Sequence, residues 1–231
     1  MTEADEVIIL AGGRGTRLRS VVADVPKPLA QVAGRPFLGY LLDFYARAGF
    51  SRAVLSTGYM AEAISDFAGS RWGDMEIVHA IEPTSLGTGG AVKFAAAHLC
   101  GDAAFIANGD TWLAYDPPGL QTLTMGAGGA LGIALASVPD VARYGAVRTS
   151  GDIVTSFEEK GHSGPGWING GVYFATAAAL GALPADESFS FETELLRPLA
   201  QAGRVVGYCK TQEFIDIGVP EDYHRAQVQF A

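Results

Sequence analysis

Three glycines, a threonine and two arginines stand directly behind a short apolar run in "VIILAGGRGTRL" (Val7 to Leu18). The pattern is that of a buried strand running into a glycine-rich loop. Such a loop offers phosphate a bed of backbone N–H groups. Arg14 and Arg17 add the charge that a polyphosphate requires. Two familiar phosphate loops are excluded. The dinucleotide fingerprint Gly-x-Gly-x-x-Gly, started at Gly13, meets Leu18 where its last glycine should stand. The P-loop pattern Gly-x-x-x-x-Gly-Lys-Ser/Thr is absent as well.

Lys27 follows between Pro26 and Pro28. A proline restricts the residue before it to extended backbone, so this lysine rides on a stiff loop and loses less entropy on meeting a phosphate. Two carboxylates complete the set. Asp110 ends the strand-like run "AAFIANGD", after the small residues Asn108 and Gly109, and Asp216 sits between Ile215 and Ile217. Each alone also reads as a turn or capping aspartate, and for Asp110 the two readings weigh equally. A carboxylate among isoleucines, however, is costly to bury unless paired or metal-bound. Mg²⁺ takes one or two carboxylates plus substrate phosphates and keeps several waters. Taken together, Asp110 and Asp216 fit a Mg²⁺ site. No Ser/His/Asp or Cys/His arrangement is apparent. The four histidines are scattered, and Cys100 and Cys209 show neither metal spacing nor a disulfide framework.

These residues must be held by something. In the first half, short apolar runs alternate with helical patterns. The strand-like runs are "EVIILAG", "RAVLSTGY", "MEIVHAIEP" and "AAFIANGD". The helical ones are "FLGYLLDFYARAGF", "AEAISDFAG" and "GGAVKFAAAHL". That order predicts a mostly parallel sheet with helices on both faces. Ligands in such sheets bind beyond the carboxyl ends of the strands, where the glycine loop, "EPTSLGTGG" and "NGD" all fall. The second half has strand-like runs with short connections, which points to antiparallel or mixed pairing. No linker separates the halves, at about 1–115 and about 116–231, so one domain over residues 1–231 is expected.

Apolar residues at 48% against 18% charged exclude a disordered chain. A net charge of −9 argues against nucleic acid as a partner, which needs a basic footprint. The start "MTEADE" is no signal peptide, and no apolar run reaches membrane-spanning length. A soluble cytoplasmic protein is the expectation.

"LAGGRGTRL" followed by "PKPL" resembles the signature of the sugar-1-phosphate nucleotidylyltransferases, the nucleoside-diphosphate-sugar pyrophosphorylases. "LGTGGA" (86–91), "NGD" (108–110), "YGAV" (144–147), "FEEK" (157–160), "NGGVYF" (169–174) and "FIDIGVPEDY" (214–223) follow in the family's order, over nearly the whole chain. The resemblance implies a three-layer α/β/α, Rossmann-like fold with a mixed, mostly parallel central sheet. It implies attack of a sugar 1-phosphate oxygen on the α-phosphorus of a nucleoside triphosphate, with loss of pyrophosphate. The nucleophile is already anionic and needs no general base, so positioning and charge neutralisation are what remain to supply. Arg17 and the loop residues Gly12, Gly13, Arg14, Gly15 and Thr16 would hold the leaving pyrophosphate. Lys27 and the Mg²⁺ on Asp110 and Asp216 would neutralise the reacting phosphates.

For the base, the family's reading position lies just before a proline, and Glu82 precedes Pro83 here. A carboxylate accepts from the two neighbouring donors of guanine, whereas uracil and thymine suit an amide, so GTP is favoured. Leu10, Ala11, Gly87 and Thr88 would complete the nucleotide pocket. For the sugar 1-phosphate, the resemblance points to Asn108, Gly145, Glu159, Asn169 and Gly170 at the hydroxyls and to Lys160 at the phosphate. The ending "FIDIGVPEDYHRAQ" is most similar to the D-glycero-D-manno-heptose 1-phosphate guanylyltransferases. Mannose-1-phosphate guanylyltransferases are the nearest alternative, and uridylyl- or thymidylyltransferases a further one. A non-catalytic nucleotide-sugar-binding relative should have lost a metal ligand or the loop arginine, and this chain keeps Arg17, Lys27, Asp110 and Asp216.

Overall fold

The apolar run at Val7–Leu10 becomes a central strand of a ten-stranded sheet in the computed structural model, which describes residues 4–13, 22 and 25–231. The first half carries β1 (Glu6–Leu10), a 3₁₀ turn (Lys27–Leu29), β2 (Gln31–Val32), β3 (Arg35–Pro36), α1 (Phe37–Arg47), β4 (Arg52–Thr57), α2 (Ala61–Ala68), β5 (Arg71–Trp72), β6 (Met75–Ile81), α3 (Gly87–Ala96) and β7 (Ala104–Asn108). Then come β8 (Thr111–Ala114), α4 (Pro117–Gly126), β9 (Leu131–Val138), β10 (Val147–Ser150), β11 (Ile153–Phe157), β12 (Gly166–Ala175) and α5 (Ala177–Gly181). A π-helical turn (Glu192–Leu196) leads into α6 (Arg197–Gln201), and β13 (Val205–Tyr208), β14 (Gln212–Asp216) and α7 (Pro220–Gln229) close the chain. The π-helical turn has a local cause, because Pro198 has no N–H to return to the preceding turn.

The strand order is β10-β11-β13-β9-β12-β7-β1-β4-β6-β5. β7, β1, β4 and β6 run parallel. β12 is antiparallel to both of its neighbours, β7 and β9, whereas β13 is parallel to β9. The mixed second half is thus as the sequence pattern expects. Alternation sends Val7 and Ile9 to one face and Ile8 to the other, so the central strand is apolar throughout. Leu38, Leu42, Ile64, Leu120 and Ala226, from α1, α2, α4 and α7, pack on the first face. Val92, Ala179 and Ala200, from α3, α5 and α6, pack on the second. This is the expected three-layer arrangement. Among the described residues no helix is long and apolar enough to cross a membrane.

Two small features position the site. The turn after β7 lies against the end of β1: the Gly109 N–H donates to the Leu10 carbonyl at 2.9 Å, and a Cβ on Gly109 would stand 2.7 Å from that oxygen. Only glycine permits this approach. The second feature is a ribbon outside the main sheet, β8 paired antiparallel with β14. The sequence pattern does not predict β8 or the helix α4 that follows it.

Candidate active site

At the carboxyl ends of β1, β6 and β7 the chain opens into a cleft of about 300 Å³. Leu10, Ala11, Gly12, Gly13, Glu82, Gly87 and Thr88, all expected around a nucleotide, line it together with Lys27, Asn108 and Asp110. Ser85 and Ala91 line it too and were not anticipated. Arg14, Gly15, Thr16 and Arg17 lie outside the described residues.

The β8–β14 ribbon explains how two distant aspartates meet. Its register places Asp216 opposite Thr111, beside Asp110, and the Ile217 N–H donates to the Asp110 carbonyl at 3.0 Å. Lys27, 11% exposed, directs its ammonium between them. It pairs with Asp110 Oδ2 and stands 3.9 Å from Asp216 Oδ1. The other contacts fix the carboxylates in place. Thr111 Oγ1 donates to Asp110 Oδ1 at 3.1 Å, and the Gly218 N–H donates to Asp216 Oδ1 at 2.7 Å. Gly218 leaves room for this crowding, since a Cβ there would come within 2.6 Å of Asp216 Oδ1 and would run into the Lys27 ammonium.

This donor set fits a hard divalent cation. Two partly exposed carboxylates already converge on one positive centre, and every donor is oxygen. Among the described residues no group of three His, Cys, Asp or Glu side chains gathers at one point. Mg²⁺ bound through one or two carboxylates and its substrate's phosphates needs no larger group.

Glu82 leaves the end of β6 with its backbone N–H on the Thr57 carbonyl at 2.7 Å. Its carboxylate is aimed by two donors. Ser56 Oγ reaches Oε1 at 3.2 Å, and the Leu86 N–H reaches Oε2 at 3.2 Å. A Cβ on Gly12 would lie 2.8 Å from Oε1, so the first loop glycine is what lets the backbone pass this close to the carboxylate. Each oxygen keeps a lone pair after these bonds. The group is a pre-oriented double acceptor beside the end of β1.

The glycines of "LGTGGA" have a second employment that the sequence did not disclose. They dock the segment at residues 187–191. The Gly89 N–H donates to the Phe189 carbonyl at 2.9 Å, the Phe189 N–H to the Leu86 carbonyl at 3.1 Å, and the Phe191 N–H to Thr88 Oγ1 at 3.0 Å. One turn later on α3, Lys93 ties the chain just before that segment, donating to the Pro184 and Ala185 carbonyls at 2.8 and 2.7 Å. Gly87 has φ +68°, and a Cβ on it would lie 2.6 Å from the Phe189 carbonyl oxygen. Gly87→Ala should therefore cost about 1–3 kcal/mol, a left-handed backbone plus a backbone clash. Urea unfolding measures this; a midpoint equal to wild type would show that the two segments are not packed together.

The residues expected at the sugar phosphate are placed differently. Asn108 lines the cleft, but Gly145, Glu159, Lys160, Asn169 and Gly170 do not. "NGG" forms a β-bulge: Asn169 pairs with Leu135 and Val172 with Ala134, leaving Gly170 and Gly171 extra on β12. Gly170 backs onto the Ala134 carbonyl, 2.6 Å from where its Cβ would be. Asn169 Nδ2 stands 2.8 Å from the Tyr173 hydroxyl, and its Oδ1 accepts the Gly171 N–H at 2.9 Å and that hydroxyl at 3.0 Å. Burial pushes the Tyr173 phenol well above its ordinary range, so it keeps its proton. Gly145 has φ +86° and abuts the Glu158 carbonyl, while Glu158 itself is held below the usual carboxylate range by a two-point bond from Arg148. Glu159 is 80% exposed and accepts from Arg197 at 3.0 Å, and Lys160 is exposed.

Comparison with known proteins places this geometry. A family model described as nucleotidyl transferase matches residues 6–231. The D-glycero-alpha-D-manno-heptose 1-phosphate guanylyltransferase of Aneurinibacillus thermoaerophilus is 39% identical over 222 residues, 96% of each chain. The mannose-1-phosphate guanylyltransferase of Mycobacterium tuberculosis is 31% identical over 229 residues, 97% of this chain and 64% of that one. The crystal structure of HddC from Yersinia pseudotuberculosis complexed with GMP-PN aligns with a TM-score of 0.85 at 36% identity, covering 98% of this chain and 99% of that one. With a match that runs from β1 to the end of the chain, the protein belongs to the nucleotidyl transferase family.

Proposed function

We propose that the protein transfers GMP from GTP to D-glycero-D-manno-heptose 1-phosphate, giving the nucleotide sugar and pyrophosphate. The observation that carries the guanine choice is Glu82, a carboxylate oriented by Ser56 and the Leu86 N–H at the mouth of the nucleotide cleft. Guanine N1–H and its exocyclic amine are adjacent donors that match two carboxylate oxygens. The similarity of nearly the whole chain to a heptose 1-phosphate guanylyltransferase supports the sugar.

In the reaction one oxygen of the sugar phosphate forms a bond to the α-phosphorus of GTP. The bond from that phosphorus to the bridging oxygen breaks, and its electron pair leaves with pyrophosphate. Arg17 and the backbone amides of Gly12, Gly13 and Gly15, with Arg14 and Thr16, receive the leaving group. Lys27 donates to the reacting phosphates from its stiff mount. Asp110 and Asp216 hold Mg²⁺, which when bound supplies neutralisation of the phosphate charge. Asn108 reaches the sugar from the end of β7, and Asn169 and Gly170 on β12, with Gly145 before β10 and Glu159 after β11, contact its hydroxyls. Lys160 pairs with the sugar's phosphate.

A pyrophosphate-release matrix, four nucleoside triphosphates against hexose and heptose 1-phosphates, tests this reading. Release is expected only with GTP and most efficiently with the heptose. A preference for mannose 1-phosphate would move the protein to that branch, and release only with UTP or dTTP would overturn the base assignment. Glu82→Gln should lower the GTP-to-UTP ratio of kcat/KM by roughly tenfold or more, since it turns one acceptor into a donor facing a donor. A ratio unchanged from wild type would remove Glu82 from base reading.

A further inference from the structure

Asp222 and Glu6 are the buried carboxylates among the described residues. Glu6 is satisfied far from the cleft by the N–H groups of Cys100 and Gly101 and by Arg52. Asp222, 3% exposed in the first turn of α7, has no part in the nucleotide cleft. A helix-start aspartate normally sits in water, where its charge meets the helix dipole at no desolvation cost. Burying this one is expensive unless several donors repay it. They come from three places. Arg143 and Tyr144 donate to Oδ2, the tyrosine hydroxyl at 3.1 Å, and Arg225 approaches Oδ1 at 3.2 Å.

Arg225 then reaches further. Its second nitrogen donates to the Phe214 carbonyl at 3.0 Å, two residues before Asp216 on β14. The Phe214 ring meets the Tyr144 ring edge-on at 5.6 Å. The loop that carries Tyr144 is tied in turn to the chain after Lys160, through Val141 N–H to the Gly164 carbonyl at 3.0 Å and Gly161 N–H to the Ala142 carbonyl at 2.9 Å. One buried carboxylate thus joins α7, the strand bearing Asp216, and the loop that ends in Gly145 and abuts Glu158.

We propose that Asp222 is a positioning residue for the sugar phosphate: it holds the 139–146 loop, and through it the Glu159–Lys160 segment, in register with Asp216. The proposal rests on the reading of the site as one for GTP and a sugar 1-phosphate. It predicts an asymmetry that a general loss of stability would not produce. The nucleotide residues hang from β1, β6 and α3, none of which Asp222 touches. Misplacing the loop by about an ångström weakens only the partner that the loop holds, by roughly ten- to a hundredfold.

The experiment compares Asp222→Asn with wild type in two measurements on the full chain. The first is KM for each substrate. The sugar 1-phosphate KM is expected to rise about tenfold or more while the GTP KM stays within about twofold. The second is amide hydrogen exchange without substrates, expected to speed up at residues 139–146 and 160–164 and to stay unchanged at 82–91. Equal rises in both KM values, or unchanged exchange in the loop, would overturn the proposal. If Asp222→Asn does not fold, Arg143→Met cuts the link between Asp222 and the loop from an exposed side chain and must give the same split. A wild type that turns over no sugar 1-phosphate would instead overturn the functional reading and the sugar role with it.

Discussion

Asp110→Ala is expected to lower kcat/KM for nucleotide sugar formation by about a thousandfold or more, the scale of losing one group that stabilises transition-state charge. The fold should survive. The side chain is 30% exposed at the open end of the ribbon, and the hydrogen bonds that build the ribbon there are backbone ones, among them Ile217 N–H to the Asp110 carbonyl. Lys27 loses its closer partner yet keeps Asp216 at 3.9 Å, so no buried ammonium is left alone. Pyrophosphate release and urea unfolding on the same preparation separate the two effects. The direction of the nucleotide's affinity adds a check. Removing a negative charge from the cleft should leave GTP bound without metal as tightly as before or more so, whereas a collapsed cleft would lose it. Activity above a few per cent of wild type would take Asp110 out of the metal site.

How far this site could be read from the chain depends on distance along it. The parallel half was legible because each of its strands is a short apolar run with a glycine or helix signal after it, and the phosphate loop and Glu82 fall at strand ends. Lys27 stood out between its two prolines, but it opens a 3₁₀ turn where Pro28 predicts extended backbone. The nearness of Asp110 and Asp216 was not legible from pattern. It depends on β8, a four-residue strand whose partner β14 lies about a hundred residues away, with no turn between them to announce a hairpin. Resemblance alone joined them. The glycines of "LGTGGA" were legible only as part of a motif, and nothing in the chain shows that residues 187–191 dock on them. Asp222 reads in sequence as an ordinary acidic residue in a helix first turn. Its burial comes from Arg143, seventy-nine positions earlier, and no local signal points there. The sugar-side residues were also the hardest to weigh. Asn169 and Gly170 are needed by the β12 bulge for backbone reasons, so their residue types alone cannot separate a structural duty from a binding one.

Lys27→Met should divide two properties that a simple loss of function would move together: turnover falls by roughly a thousandfold, while Mn²⁺, standing in for Mg²⁺, binds the nucleotide-free protein more tightly. The reason lies in what the ammonium does before any substrate arrives. It pairs with Asp110 and stands within reach of Asp216, so it already supplies the positive charge on which both carboxylates converge. An incoming divalent cation must compete with it. Methionine keeps the length of the stem and removes only the charge, taking the ammonium away from between two carboxylates. Two like charges about 4–6 Å apart repel by roughly 3–4 kcal/mol at an effective dielectric of about 20, and a bound cation relieves such repulsion. The metal affinity should therefore rise by roughly tenfold or more, and added Mn²⁺ should raise the thermal midpoint of the variant more than that of the wild type. With GTP present the difference should shrink, because the triphosphate brings its own ligands for the cation and its own need for the lysine. Titration of free Mn²⁺ by electron paramagnetic resonance reads the first effect directly. An unchanged or weakened affinity in a folded Lys27→Met protein would mean that the cation is held where the lysine does not reach, and the two aspartates would no longer be its ligands.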